Sequence, residues 1–258
     1  MAAHAQPIVH VFNNNSELFD MASSTVLDLL CPAEGQTARS IALAGGSTPK
    51  AMYERWANSP EILARLAEGH GTDYFFGDVR MVPDDHSDSN FKMAHEALLH
   101  AVPKDRVHNV DTSLPAAEAA SRYQQLLVQK LSVCESEPNK GSPIFDVILL
   151  GCGPDGHTAS LFPGTPASKC YDKFVTDCMP GEDVSPHVER VTLTPKTIIN
   201  AKNVVVMATG ANKQWVMNGI MGHKAGEGEK TPVAAFLRQC RGNILLLVDK
   251  EAAPDTQA

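Results

Sequence analysis

Six short apolar runs, PIVHVF, RSIALAGG, DYFFGD, FDVILLG, NVVVMATG and NILLLVD, recur along the chain at helix-length intervals. Their β-branched and leucine-rich composition predicts strands. Helical patterns lie between them over 16–30, 48–58, 90–100, 116–134, 211–221 and 232–240. Strands separated by helices imply crossover connections, hence a doubly wound, mainly parallel α/β sheet with helices on both faces, Rossmann-like in layout. RSIALAGG, FDVILLG and NVVVMATG each pass from an apolar strand straight into glycine. Central strands of such sheets end this way where a ligand crevice opens, so function is expected on those three ends.

Two irregular stretches interrupt the pattern. Residues 135–143, ESEPNKGSP, read as a surface loop, because the strands on either side belong to one sheet. Residues 163–186 carry four prolines and two glycines with little periodicity. Long loops of that kind often cover active sites, which makes this one a candidate lid. No internal repeat is visible, the last few residues are expected to fray, and the whole chain, 1–258, reads as one α/β domain.

Composition narrows the function. The 258 residues include 22 Lys and Arg against 30 Asp and Glu, a net charge of −8. That field repels nucleic acid and anionic membranes, so neither is an expected partner, and a phosphate ligand needs a local positive pocket. Six scattered cysteines without a C-x-x-C pair fit reduced thiols rather than a disulfide framework or a zinc site. No apolar run of about 18 residues is present, and MAAHAQP lacks the features of a secretory start. A cytoplasmic protein, monomeric or a small homo-oligomer, is the expectation.

Four segments carry candidate chemistry. Gly45-Gly46-Ser47-Thr48-Pro49-Lys50 follows a strand and opens a helix. Free amides of a helix start, hydroxyls and Lys50 suit a phosphate, although ordinary N-capping uses the same residue types. Phe75-Phe76-Gly77-Asp78-Val79-Arg80 leads into Pro83-Asp84-Asp85-His86, where the Arg80 guanidinium offers forked donors to an anion or oxyanion. The plain alternative is a surface ion pair with Asp78 or Asp84. EF-hand spacing and an H-x-x-x-H pair are both absent, so no metal site is expected there.

Residues 151–163, Gly-Cys-Gly-Pro-Asp-Gly-His-Thr-Ala-Ser-Leu-Phe-Pro, formally contain G-x-G-x-x-G. The dinucleotide reading fails on context: Pro154 sits inside the fingerprint and Pro163 stops any following helix. What remains is an Asp155-x-His157 pair framed by Gly153 and Gly156 at a strand end. Histidine accepts a proton near neutral pH, and a carboxylate beside it orients the ring and supports its cation. Arg190, in the alternating strand ERVTLT, and Lys213, in the strand-to-helix turn TGANK, are further phosphate candidates.

LAGGSTPKAMYE, FFGDVRMVPDDHSDSN, FDVILLGCGPDGHTASLFPG, ERVTLTP and ATGANK, in this order and across nearly the whole chain, resemble the glucosamine-6-phosphate isomerase/6-phosphogluconolactonase family. Deaminases of that family continue after D-G-H into a segment containing N-E-P, whose glutamate serves ring opening. Here Thr158-Ala159-Ser160-Leu161-Phe162-Pro163 follows instead, so the resemblance favours the lactonase branch. It implies hydrolysis of 6-phospho-D-glucono-1,5-lactone in the oxidative pentose phosphate pathway, without metal or organic cofactor. By similarity His157 would be the general base, with Asp155 or Asp84 holding its ring or contacting sugar hydroxyls. Arg80 or the amides of the Gly151–Gly156 loop would meet the oxyanion. Phosphate would lie against Gly46, Ser47 and Thr48, near Arg190 and Lys213. A sugar-phosphate isomerase or deaminase and a non-catalytic sugar-phosphate sensor are the alternatives.

Overall fold

The computed structural model describes residues 6–31, 39–67, 71–137, 139–222 and 231–255. A six-stranded, wholly parallel sheet forms from β1 (Ile8–Phe12), β2 (Arg39–Leu43), β3 (Thr72–Phe76), β5 (Val147–Leu150), β8 (Asn203–Ala208) and β9 (Asn243–Asp249), in the order β1-β9-β8-β5-β2-β3. β5 and β8 are buried at every position, as expected of central strands covered on both faces. β1 forms one edge and leaves Ile8 and Val11 half exposed.

Helices α1 (Asn15–Leu30), α2 (Ser47–Ala57), α3 (Pro60–Ala67), α4 (Asn90–Ala97), α5 (Ala116–Lys130), α6 (Pro195–Ile198), α7 (Gln214–Met221) and α8 (Pro232–Leu237) pack around the sheets. Local chemistry sets their ends. Asn14 caps α1 by accepting from the Glu17 amide at 2.9 Å, and the Glu17 carboxylate reaches back to the Asn13 amide at 3.1 Å. The first bond satisfies a donor of the first turn, and the second ties the residue before the cap to it. Four predicted helices are trimmed. Residues 90–100 break at Leu98 and continue as a 3-10 turn, Leu99–Ala101; 116–134 stop at Lys130; 211–221 begin with a 3-10 turn, Ala211–Lys213; 232–240 stop at Leu237. Short α3 has no counterpart in the predicted elements.

A second sheet was not foreseen. β4 (Asp78–Arg80), β7 (Arg190–Leu193) and β6 (Val175–Cys178) form an antiparallel ladder in the order β4-β7-β6. The run DYFFGD therefore does not stay in one sheet: it divides at Gly77, whose amide bonds Leu43 O at 2.9 Å while its carbonyl accepts from Leu193 N at 2.8 Å. β6 also corrects the candidate lid at 163–186, because its middle is a paired strand that buries Val175 and Cys178. The apolar side chains of both sheets form one continuous core. Among the described residues, no helix is long and apolar enough to cross a membrane. The expected fraying of the last few residues falls on 256–258, outside the described residues.

Candidate active site

β2 is followed by β3 on one side of the sheet, whereas β5 is followed by β8 on the other. A crevice opens at such a reversal point in open α/β sheets, beyond the carboxyl ends of the strands. Here it holds about 370 Å³ and is lined by the start of α2, by β4 and β7, by the loop after β5 and by the turn after β8.

The first wall is Gly45, Gly46, Ser47 and Thr48. Gly46 takes a φ of +103°, and no side chain caps α2. The first-turn amides of α2 are thus left for a ligand, beside two hydroxyls, where the helix dipole favours negative charge. Lys50 does not join them. Its ammonium lies 3.7 Å from Glu54 on the helix surface.

The second wall comes from the ladder. Arg80 pairs with Arg190 and Asp78 with Thr192 across β4 and β7. Opposed residues share a face, so two arginines far apart in sequence meet at the crevice. Arg190 is only 4% exposed, donates to Pro186 O at 2.8 Å and Val188 O at 3.2 Å, and sits 5.9 Å from the centre of the Phe162 ring. Burial pulls its proton affinity down; Asp78 opposes that fall and Arg80 deepens it. Arg80 donates to the Asp88 carbonyl at 2.8 Å, and its Nε is buried without a partner among the described residues. Among the described residues Arg80 forms no ion pair with Asp78 or Asp84; its guanidinium is turned to the Asp88 carbonyl and Asn90. Instead Asp78 is buried, accepting from Ser160 Oγ at 2.8 Å.

The third wall carries Gly151, Cys152, Gly153, Pro154, His157 and Thr158. His157 Nδ1 lies 2.6 Å from Asp155 Oδ1, which also accepts from the His157 amide at 3.2 Å. Burial raises the Asp155 carboxyl, but the hydrogen bonds and charge of His157 outweigh it and hold the group below the usual carboxylate range. With Nδ1 engaged, Nε2 is the ring nitrogen left for other chemistry. Phe162 supports the ring at a centroid distance of 4.6 Å. Both framing glycines are sterically required. A Cβ on Gly153 would collide with the His157 imidazole, and one on Gly156, at a φ of +79°, would collide with the Thr231 methyl group. Gly156 shapes this loop from behind rather than lining the crevice.

Lys213 closes the fourth side. Burial lowers its proton affinity, with Cys152 and Asp155 opposing. Burial also pushes the Cys152 thiol up to about 12 despite Lys213, so it is a neutral lining group. Asp84 is not at the crevice. It accepts from Asn109 at 2.9 Å and borders a separate hollow of about 680 Å³ with Phe91, His95 and Leu99. The carboxylate that holds the histidine is Asp155. Sequence reasoning left out Asn90, which opens α4, lines the crevice and donates to Asp78 O at 3.0 Å; only its place beside the charged cluster hinted at it.

The crevice combines an oriented histidine with a helix start and three cations, a site suited to general-base chemistry on a small anionic ligand. The glucosamine-6-phosphate isomerase/6-phosphogluconolactonase family model matches residues 13–246. A 6-phosphogluconolactonase of Synechocystis sp. is 34% identical over 250 residues, covering 95% of this chain and 97% of that protein. The human 6-phosphogluconolactonase is 31% identical, covering 98% and 95%. The solved structure of 6-phosphogluconolactonase from Trypanosoma brucei superposes with a TM-score of 0.87 at 42% identity, covering 96% of this chain and 98% of that one. The chain belongs to the glucosamine-6-phosphate isomerase/6-phosphogluconolactonase family.

Proposed function

We propose that this chain is an enzyme hydrolysing 6-phospho-D-glucono-1,5-lactone to 6-phospho-D-gluconate in the oxidative pentose phosphate pathway, with His157 as the general base. Its membership of the family and the lactonase names of its relatives support the reaction. The observation that carries the residue assignment is the 2.6 Å pairing of His157 Nδ1 with Asp155 inside a cation-lined crevice.

In this reading His157 Nε2 takes a proton from water as its oxygen attacks the lactone carbonyl carbon. Asp155 steadies the imidazolium that forms. Arg80, or amides of the 151–156 loop, meet the negative charge on the carbonyl oxygen as the tetrahedral intermediate develops. Collapse re-forms the carbonyl and breaks the bond to the ring oxygen, which takes the proton from His157 and leaves as a hydroxyl. The phosphate, remote from the reacting bond, lies on the α2 amides with Ser47 and Thr48, close to Arg190 and Lys213. A general base contributes about 10²- to 10⁴-fold, a proportionate demand for a lactone that also hydrolyses unaided.

The test is turnover of the lactone, generated in place from glucose 6-phosphate and followed through 6-phosphogluconate dehydrogenase, above the spontaneous rate. Acceleration that His157→Ala abolishes supports reaction and base together. Acceleration that survives the substitution removes His157 from the mechanism. Ammonia release from glucosamine 6-phosphate without lactone turnover would move the function to the deaminase branch.

A further inference from the structure

The loop that holds Asp155 and His157 is tied at its base by Thr158 Oγ1, which donates to Gly151 O at 2.7 Å. It contains three glycines, and Pro154 has no amide hydrogen to donate. Two backbone bonds close it, Gly153 N to His157 O at 2.8 Å and Gly156 N to Gly153 O at 3.1 Å. Outside support arrives from α7. The indole Nε1 of Trp215 donates to Pro154 O at 3.2 Å, from a side chain that is itself 36% exposed. The neighbouring α7 residues Val216 and Met217 are fully buried in the core, so the indole projects from a fixed base.

We propose that Trp215 is a positioning residue for the Asp155–His157 pair. A trans peptide is planar, so aiming the Pro154 carbonyl at the indole aims the Asp155 amide hydrogen the opposite way. The same plane fixes the Asp155 backbone from which the carboxylate projects to accept from His157 Nδ1 at 2.6 Å and from the His157 amide at 3.2 Å. One hydrogen bond from α7 therefore sets a peptide plane, the plane sets the carboxylate, and the carboxylate sets the imidazole. Loss of the indole donor lets the plane rotate without emptying the crevice of any ligand-binding group, since Trp215 is not among the lining residues.

The proposal rests on His157 acting as base for its kinetic consequence only. Trp215→Phe keeps an aromatic ring and deletes the N–H. The expected result is a kcat lower by about tenfold, within what a small misplacement of a catalytic group costs, with KM within about twofold. In an Asp155→Asn background the same substitution has little further effect, because the chain of contacts is already cut. A full additional loss in that background, or an unchanged kcat in the parent, overturns the proposal.

A second measurement needs no turnover. The chain has two tryptophans, and Trp56 is fully buried with its indole bonded to Ser23 O at 3.2 Å. The two indole N–H resonances can therefore be followed separately by NMR in the unmodified protein. Asp155→Asn is expected to shift the Trp215 resonance and to leave the Trp56 resonance in place. A Trp215 signal indifferent to Asp155→Asn, or one that moves no further than that of Trp56, overturns the coupling even where lactonase activity is intact. Failure of the base assignment is read elsewhere, in the turnover of His157→Ala.

Discussion

His157 Nδ1 stands 2.6 Å from Asp155 Oδ1, and this contact decides which nitrogen of the imidazole is available for proton transfer. His157→Ala is expected to lower kcat by about 10²- to 10⁴-fold while 6-phosphogluconate still binds, as a calorimetric titration would show. Asp155→Asn keeps the base but loses its anchor, so a smaller fall in kcat is expected. Equal losses in the two variants would mean that Asp155 has a chemical role of its own.

The same contact has a pH signature in stability. Asp155 titrates below the ordinary carboxylate range in the folded chain because His157 outweighs the effect of burial. A carboxyl lowered on folding stabilises the protein above its unfolded value, about 3.9, and the contribution is lost as pH falls through the folded value. Asp155→Asn should therefore have a lower Tm than the parent at pH 7, and the gap should close below about pH 4. A gap that persists unchanged into acid would separate the stability effect from this ionisation.

Two cations near the proposed phosphate site should respond differently to removal. Arg190 is 4% exposed and donates to two backbone carbonyls, so Arg190→Ala is expected to raise KM and also to cost about 2–4 kcal/mol of stability. The Lys213 side chain, which lines the crevice, makes no such bond among the described residues, and Lys213→Ala should raise KM with Tm nearly unchanged. Burial also lowers the Lys213 proton affinity, so 6-phosphogluconate binding should weaken with rising pH before the ordinary lysine range is reached. Lys213→Arg should remove that alkaline loss; its persistence would assign the phosphate contact to another group.

Gly156 combines a φ of +79° with a back wall formed by the Thr231 methyl group. Gly156→Ala meets both obstacles, and about 1–3 kcal/mol of destabilisation with a loss of kcat is expected. Thr231→Ser removes the methyl but keeps the hydroxyl that caps α8 at the Ala234 amide. Combining the two should recover part of the loss, read as Tm and kcat in a double-mutant cycle. No recovery would place the whole cost on the backbone conformation.

Cys152 lines the crevice, yet burial pushes its thiol up to about 12. The thiolate is the reactive form. Iodoacetamide at neutral pH is expected to leave Cys152 unmodified and activity intact, with mass spectrometry of the peptide as the readout. Rapid labelling with loss of turnover would show a more open loop than the one described.

The strand runs, the helical spacing between them and the glycines that end the central strands all follow from residues adjacent in the chain, which is why an α/β sheet with its crevice at β2, β5 and β8 was legible in advance. The Asp155-x-His157 pair was legible for the same reason: two residues apart, its geometry is set by the loop it sits in. Long-range pairing is another matter. Nothing adjacent to Gly77 announces that the chain changes sheets there, nor that Arg80 will oppose Arg190 while Asp78 is buried on Ser160 between the two walls. Nor does local sequence distinguish Asp155 from Asp84, both acidic and both near a crevice strand. That choice was made by the loop between β4 and α4, which carries Asp84 outward to Asn109, and by the short loop that leaves Asp155 no partner nearer than His157. Periodicity is a property of neighbours, whereas a cationic wall needs two strands far apart in sequence to be held in register by the core beneath them.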